Sequence, residues 1–126
     1  MNSERRPRVA LYVKRSALER HREQPNDRVK ELLARNDPTV AHLEAAHREH
    51  TSTIEEVKSA LAELGADVTK HGRRTPFDDS QFDFVITIGG DGTLLHASHH
   101  VIDTPVLGIN SSPSTSVGFF CGSRSG

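Results

Sequence analysis

Apolar residues along the chain fall into short runs and one long periodic stripe. From Arg8 to Lys14, Val9, Leu11 and Val13 alternate with Ala10 and Tyr12. Both faces are largely apolar, as in a parallel strand covered on both sides. Ala66 to Lys70, Phe82 to Ile88 and Pro105 to Asn110 read as further strands. Between the first two runs, Val40, Leu43, His47, His50, Ile54, Val57, Leu61 and Leu64 recur at alternating steps of three and four. That spacing predicts one long helix, with histidine at two central stripe positions. Asp37 before Pro38 reads as its N-cap and Gly65 as its stop. Such a helix is roughly 40 Å long at ~1.5 Å per residue. Its stripe needs a partner: it can lie across the sheet, or its exposed part can pair with another subunit. Shorter helices are expected at Asp27 to Ala34 and Thr93 to Val101. The rest of Ala17 to Arg35 reads as a polar stretch, and His71 to Ser80 as a loop.

Strands alternating with helices predict an α/β fold, a Rossmann-like parallel sheet flanked by helices and joined by right-handed crossovers. Residues 1–126 are expected to form a single nucleotide-binding domain. Its core is read as 7–110, and 111–126 as a Ser/Gly-rich tail with an apolar island from Val117 to Cys121. Sixteen Lys and Arg against 17 Asp and Glu leave a formal net charge of −1, which gives no basic surface for nucleic acid or an anionic membrane. One cysteine excludes an internal disulfide framework and fits a reducing compartment. The N-terminus lacks the apolar segment of a secretory signal, and no apolar run approaches the ~20 residues that span a bilayer. Cytoplasm is the expected location, with the mitochondrial matrix as the alternative, since the first residues are Arg-rich.

The chemistry concentrates in Ile88-Gly89-Gly90-Asp91-Gly92-Thr93-Leu94-Leu95. A strand enters three glycines that bracket one carboxylate, and a helix follows. Bare backbone N–H groups and the positive end of the helix dipole both favour an anion at such a turn. Glycines can also serve backbone geometry alone. The carboxylate repels phosphate, so a site that keeps Asp91 needs it as a base or as a magnesium contact. A simple N-cap role for Asp91 is the plain alternative.

In sheets of this class, ligands bind beyond the carboxyl ends of the strands. Lys14, Arg73, Gly89 to Thr93 and Asn110 fall on that edge or on loops leaving it. Lys14 and Arg73 are candidates for charge compensation, against the alternative of solvated surface charges. Asn110 can face ligand or form a turn. Leu95 and His96 follow the turn closely enough to be substrate contacts. His96, His99 and His100 share one helix face, but no third metal ligand can be named, so a polar helix surface is the preferred reading. His47 and His50 read as packing or interface histidines, or as a pH-sensitive contact. Ser111, Ser112, Ser114, Thr115 and Ser116 offer hydroxyls and N–H groups for phosphate, or simply a flexible loop.

Gly89-Gly90-Asp91-Gly92-Thr93-Leu94-Leu95, Pro105-Val106-Leu107-Gly108-Ile109-Asn110 and Val117-Gly118-Phe119-Phe120 together resemble the signature of NAD kinases. The Leu-Leu-His and Gly-Ile-Asn-Ser-Ser-Pro segments look closest to the mitochondrial-type subgroup and its bacterial relatives. Gly-Gly-Asp-Gly-Thr alone is shared with diacylglycerol and sphingolipid kinases. The resemblance implies transfer of a phosphoryl group from ATP, with its Mg2+, or in some members from polyphosphate, to the 2′-hydroxyl of the adenosine ribose of NAD. It implies that Asp91 contacts that hydroxyl as base, that Gly89, Gly90, Gly92 and Thr93 hold phosphates, and that Phe119 or Phe120 lies near the dinucleotide. Members of the family are commonly oligomers, which the long stripe suits. They also carry a second, β-rich domain with an Asn-Glu or Asn-Asp motif beyond the glycine turn, and these 126 residues contain none there. The chain is therefore expected to represent the N-terminal domain and not to be competent alone. A non-catalytic nucleotide-binding or oligomerisation module, or a lipid kinase domain, is the alternative.

Overall fold

A computed structural model describes residues 6–23, 25, 27–72, 78–113 and 123–124. Its elements run β1 (Arg8–Val13), α1 (Ala17–Glu23), α2 (Asp27–Ala34), α3 (Pro38–Glu63), β2 (Asp67–His71), a 3-10 turn (Asp79–Gln81), β3 (Phe84–Gly89), α4 (Asp91–Ser98), β4 (Val106–Asn110) and a two-residue β5 (Ser123–Arg124). The strands form one sheet in the order β2-β1-β3-β4-β5, every pair parallel. The expected α/β architecture is thus present. β5 is an addition, lying in the tail whose Ser/Gly composition carries no strand pattern.

Buried β1 sits between β2 and β3, and its alternation divides the sheet into two faces. Val9, Leu11 and Val13 join Ile86, Ile88 and Val68 on one face, where Ile54, Val57 and Leu61 of α3 cover them. Tyr12 points to the other face and meets His96 of α4, with ring centroids 5.8 Å apart. α3 and α4 therefore lie on opposite faces. The expected stripe of α3 is spent on the sheet over its second half and ends at Leu64, which is 73% exposed.

Local chemistry sets the helix ends. The Asp37 carboxylate accepts the Thr39 N–H at 2.9 Å, with Pro38 in the first turn. Gly65 leaves the helix at φ +70°, a conformation that favours glycine. α1 lies in the stretch read as merely polar. Ser16 caps it: its hydroxyl accepts the Glu19 N–H at 3.1 Å, and its carbonyl accepts the Arg20 N–H at 3.0 Å. Before β4, the buried Asp79 carboxylate gathers the N–H groups of Ile102, Asp103 and Thr104 and the Thr104 hydroxyl at 3.0–3.3 Å. Those hydrogen bonds, the Ile102 N–H foremost, hold its pKa below the ordinary aspartate value of 3.8.

Two stability predictions follow from these contacts. Ile54→Ala is expected to destabilise the protein by about 2–5 kcal/mol in urea unfolding, whereas Leu64→Ala changes it by less than about 0.5 kcal/mol. The contribution of ionised Asp79 is complete above the ordinary aspartate pKa and is lost as pH falls through the lowered folded-state value. Asp79→Asn is therefore expected to lower the melting temperature at neutral pH and to flatten its fall on acidification.

Candidate functional site: the glycine turn at the strand ends

Going from β1 to β2 the chain moves one way across the sheet, and from β3 to β4 it moves the other way. The carboxyl ends of β1 and β3 flank this switch point, the place where open α/β sheets receive ligands. Three strand ends are joined there through the backbone. The Lys14 N–H donates to the Ile88 carbonyl at 3.0 Å, and the Ser111 N–H to the Gly89 carbonyl at 2.9 Å.

Gly89 is required by packing. A Cβ on it would lie 2.5 Å from Thr93 Oγ1, 2.9 Å from Thr93 Cβ and 3.0 Å from Lys14 Cβ. The absent side chain lets the first turn of α4 rest directly on the end of β3, with Thr93 buried over it. Gly90 is the N-cap, in an extended conformation and with no side-chain capping bond. Asp91 is the first residue of α4, so the helix starts two residues before the expected Thr93 and ends at Ser98 instead of Val101. The plain N-cap reading of Asp91 is thereby corrected. Its carboxylate stands in the first turn, where the helix dipole favours negative charge. Gly92 differs from Gly89, because among the described residues a Cβ there would meet nothing within 4 Å.

A cavity of about 200 Å³ opens at these strand ends. Lys14, Gly89, Gly90, Asn110, Ser111 and Ser112 line it, so the structure brings together six of the ligand candidates named from sequence. Lys14 is exposed at β1's end. Asn110 is buried, and its side-chain oxygen accepts the Ser112 N–H at 3.1 Å, the turn-forming role weighed for it. Other candidates stand apart from the cavity. Leu95 is 54% exposed on α4, and His96 packs between Tyr12 and His100. Arg73, Phe119 and Phe120 lie outside the described residues. A larger cavity of about 690 Å³ borders the edge strand β2 between Arg8, His71 and Phe82, and it shares no residue with the glycine turn.

The remaining wall was missed in the sequence. Leu43, Ala46 and His50 of α3 line the cavity with Ser16. His47 bonds Ser16 Oγ at 2.8 Å, with Glu19 3.6 Å away. His50 is 3% exposed and sits between Ser111 and Lys14. The signal for this wall lay in the stripe itself. Where its apolar residues give way to His47 and His50, α3 has left the core and faces the site. His99 and His100 are exposed, whereas His96, read with them as polar surface, is half-buried against Tyr12.

The family model of the ATP-NAD kinase N-terminal domain matches residues 2–120. The chain belongs to the NAD kinase family. It is 33% identical over 125 residues to rat "NAD kinase 2, mitochondrial", covering 90% of this chain and 29% of that relative. It is 37% identical over 86 residues to a "NADH kinase" of Arabidopsis thaliana, covering 65% of this chain and 26% of the relative. A "NAD kinase" of Chlorobium chlorochromatii is 61% identical over 28 residues, 22% of this chain and 10% of the relative. The chain thus spans under a third of the length of these relatives.

Within this NAD kinase N-terminal domain, the first and last glycines of the turn predict opposite outcomes. Gly89→Ala is expected to cost about 1–3 kcal/mol, since the start of α4 must move away from β3. Gly92→Ala is expected to leave stability unchanged, or to raise it by up to about 1 kcal/mol as glycine leaves a helix. Denaturant midpoints of the two variants decide between packing and free space.

Proposed function

We propose that this chain forms the nucleotide-binding half of an enzyme that moves the γ-phosphoryl group of ATP to the 2′-hydroxyl of the adenosine ribose of NAD or NADH. The observation that carries this reading is the glycine turn at the switch point: an N-terminal helix turn with open space over Gly92 and a carboxylate at Asp91. A glycine that packing among the described residues does not require, and that weakens a helix, leaves room for a ligand. The relatives' names, NAD kinase and NADH kinase, support the acceptor.

Phosphoryl transfer asks for positioned phosphates, compensated charge and an oriented nucleophile. In this reading the N–H groups of Gly90, Gly92 and Thr93 receive phosphate oxygens, and Lys14 supplies positive charge from the end of β1. Asp91 accepts the proton of the ribose hydroxyl as its oxygen bonds to the γ-phosphorus and the bond to ADP breaks. Magnesium enters with ATP as part of the substrate. Arg73, Leu95, His96, Phe119 and Phe120 remain candidates for contacts along the dinucleotide, and assembly into a homo-oligomer remains part of the proposal. The rat relative is named as mitochondrial, which keeps the matrix beside the cytoplasm as the proposed location. No helix among the described residues is long and apolar enough to cross a membrane.

The cavity's volume of about 200 Å³ is below the roughly 300–1,000 Å³ of sites that enclose a small ligand. These residues by themselves grip part of a nucleotide and leave the reacting centre open to water, which forfeits the orientation that gives most of the rate.

In the full-length protein, Asp91→Asn is expected to lower the rate of NADP formation by about 10²–10⁴-fold while the melting temperature stays put. A rate equal to wild type would remove Asp91 from the base role. Gly92→Ala is expected to weaken nucleotide binding, read by calorimetry, without loss of stability.

A further inference from the structure

We propose that His50 is a positioning residue of the nucleotide site, a neutral imidazole that fixes the two flanks of the glycine turn relative to each other. The inference rests on the functional reading above and adds a residue from α3 to it. His50 Nε2 lies 2.5 Å from the Lys14 carbonyl oxygen, which can only accept, so Nε2 carries the proton and donates. In a neutral ring Nδ1 is then bare, and it accepts the Ser111 hydroxyl at 2.6 Å. Both partners line the cavity, one following β1 and the other following β4. Ser111 is also held from two other directions. Its N–H donates to the Gly89 carbonyl, and its own carbonyl accepts Thr53 Oγ1 at 3.4 Å. One imidazole thus connects α3 and the ends of β1 and β4, and through Ser111 the end of β3.

The surroundings keep the ring neutral. Burial is the largest influence and pushes its pKa below the ordinary histidine value. Nearby Lys14 and His47 act in the same direction, against the Lys14 carbonyl and Glu19. A leucine at this position would fill a similar space but would leave the Ser111 hydroxyl and the Lys14 carbonyl without their partner. Glutamine can restore both bonds, since its amide carries a donor and an acceptor. A role in packing alone would not distinguish these replacements by ligand affinity at matched stability.

The test uses the full-length protein with ATP and NAD as separate probes. Nitrogen NMR of the His50 ring is expected to show a protonated Nε2 and a bare Nδ1 at neutral pH. The opposite tautomer would overturn the assignment. His50→Leu is expected to weaken binding of at least one nucleotide by about tenfold, and His50→Gln to stay within about threefold of wild type. Melting temperatures measured alongside separate this effect from instability. Equal affinity in all three proteins, or glutamine as weak as leucine, would overturn the role of His50 while leaving the site's function intact. A wild-type protein that binds neither nucleotide would overturn the functional reading itself, and would do so before any variant is made.

Discussion

No side chain fits between the end of β3 and the first turn of α4. That exclusion, set by Thr93 resting on Gly89, fixes where the helix begins and which way it points. The rest of the site takes its position from it. Gly90 becomes the cap, Asp91 the first helical residue, and Gly92 a bare stretch of backbone beside open space. The three glycines therefore answer to different constraints. Gly89 serves the protein's own packing, Gly90 ends the strand in an extended conformation, and Gly92 is spared by the protein.

α3 shows the same division of labour on a larger scale. Ile54, Val57 and Leu61 belong to the core against β1 and β3. One to three turns earlier, Leu43, Ala46 and His50 form the wall of the cavity. The change of duty coincides with the change of chemistry along the stripe. Ile54, Val57 and Leu61 face the sheet, whereas His47 and His50 face the loops that leave it, where backbone carbonyls and serine hydroxyls need partners.

Much of this was legible in the residues. Alternation in β1, the Asp37-Pro38 start of α3 and the Gly65 stop are local signals, and each sits where it was expected. Gly89 to Asp91, Lys14 and Asn110 were placed on the correct edge because a parallel sheet has only one edge where strands end and helices begin. α1 was passed over because its residues are polar and charged, although Ser16 and Glu19 carry the spacing of a helix-capping pair. The start of α4 was misplaced because glycine at position 92 argues against helix by propensity, and tertiary packing at Gly89 overrides that preference. His50 could not be assigned from sequence. Its partners are 36 and 61 residues away, and nothing local indicates that they converge.

The double use of α3 carries a mechanical consequence. The segment that walls the cavity and the segment that seals the core are one uninterrupted helix, with neither proline nor glycine inside it after its first residue. That wall has no hinge of its own. It cannot swing away from the strand ends without levering Ile54 and Leu61 off the sheet, so its opening draws on the stability of the domain as a whole. On this side the cavity behaves as a fixed jaw.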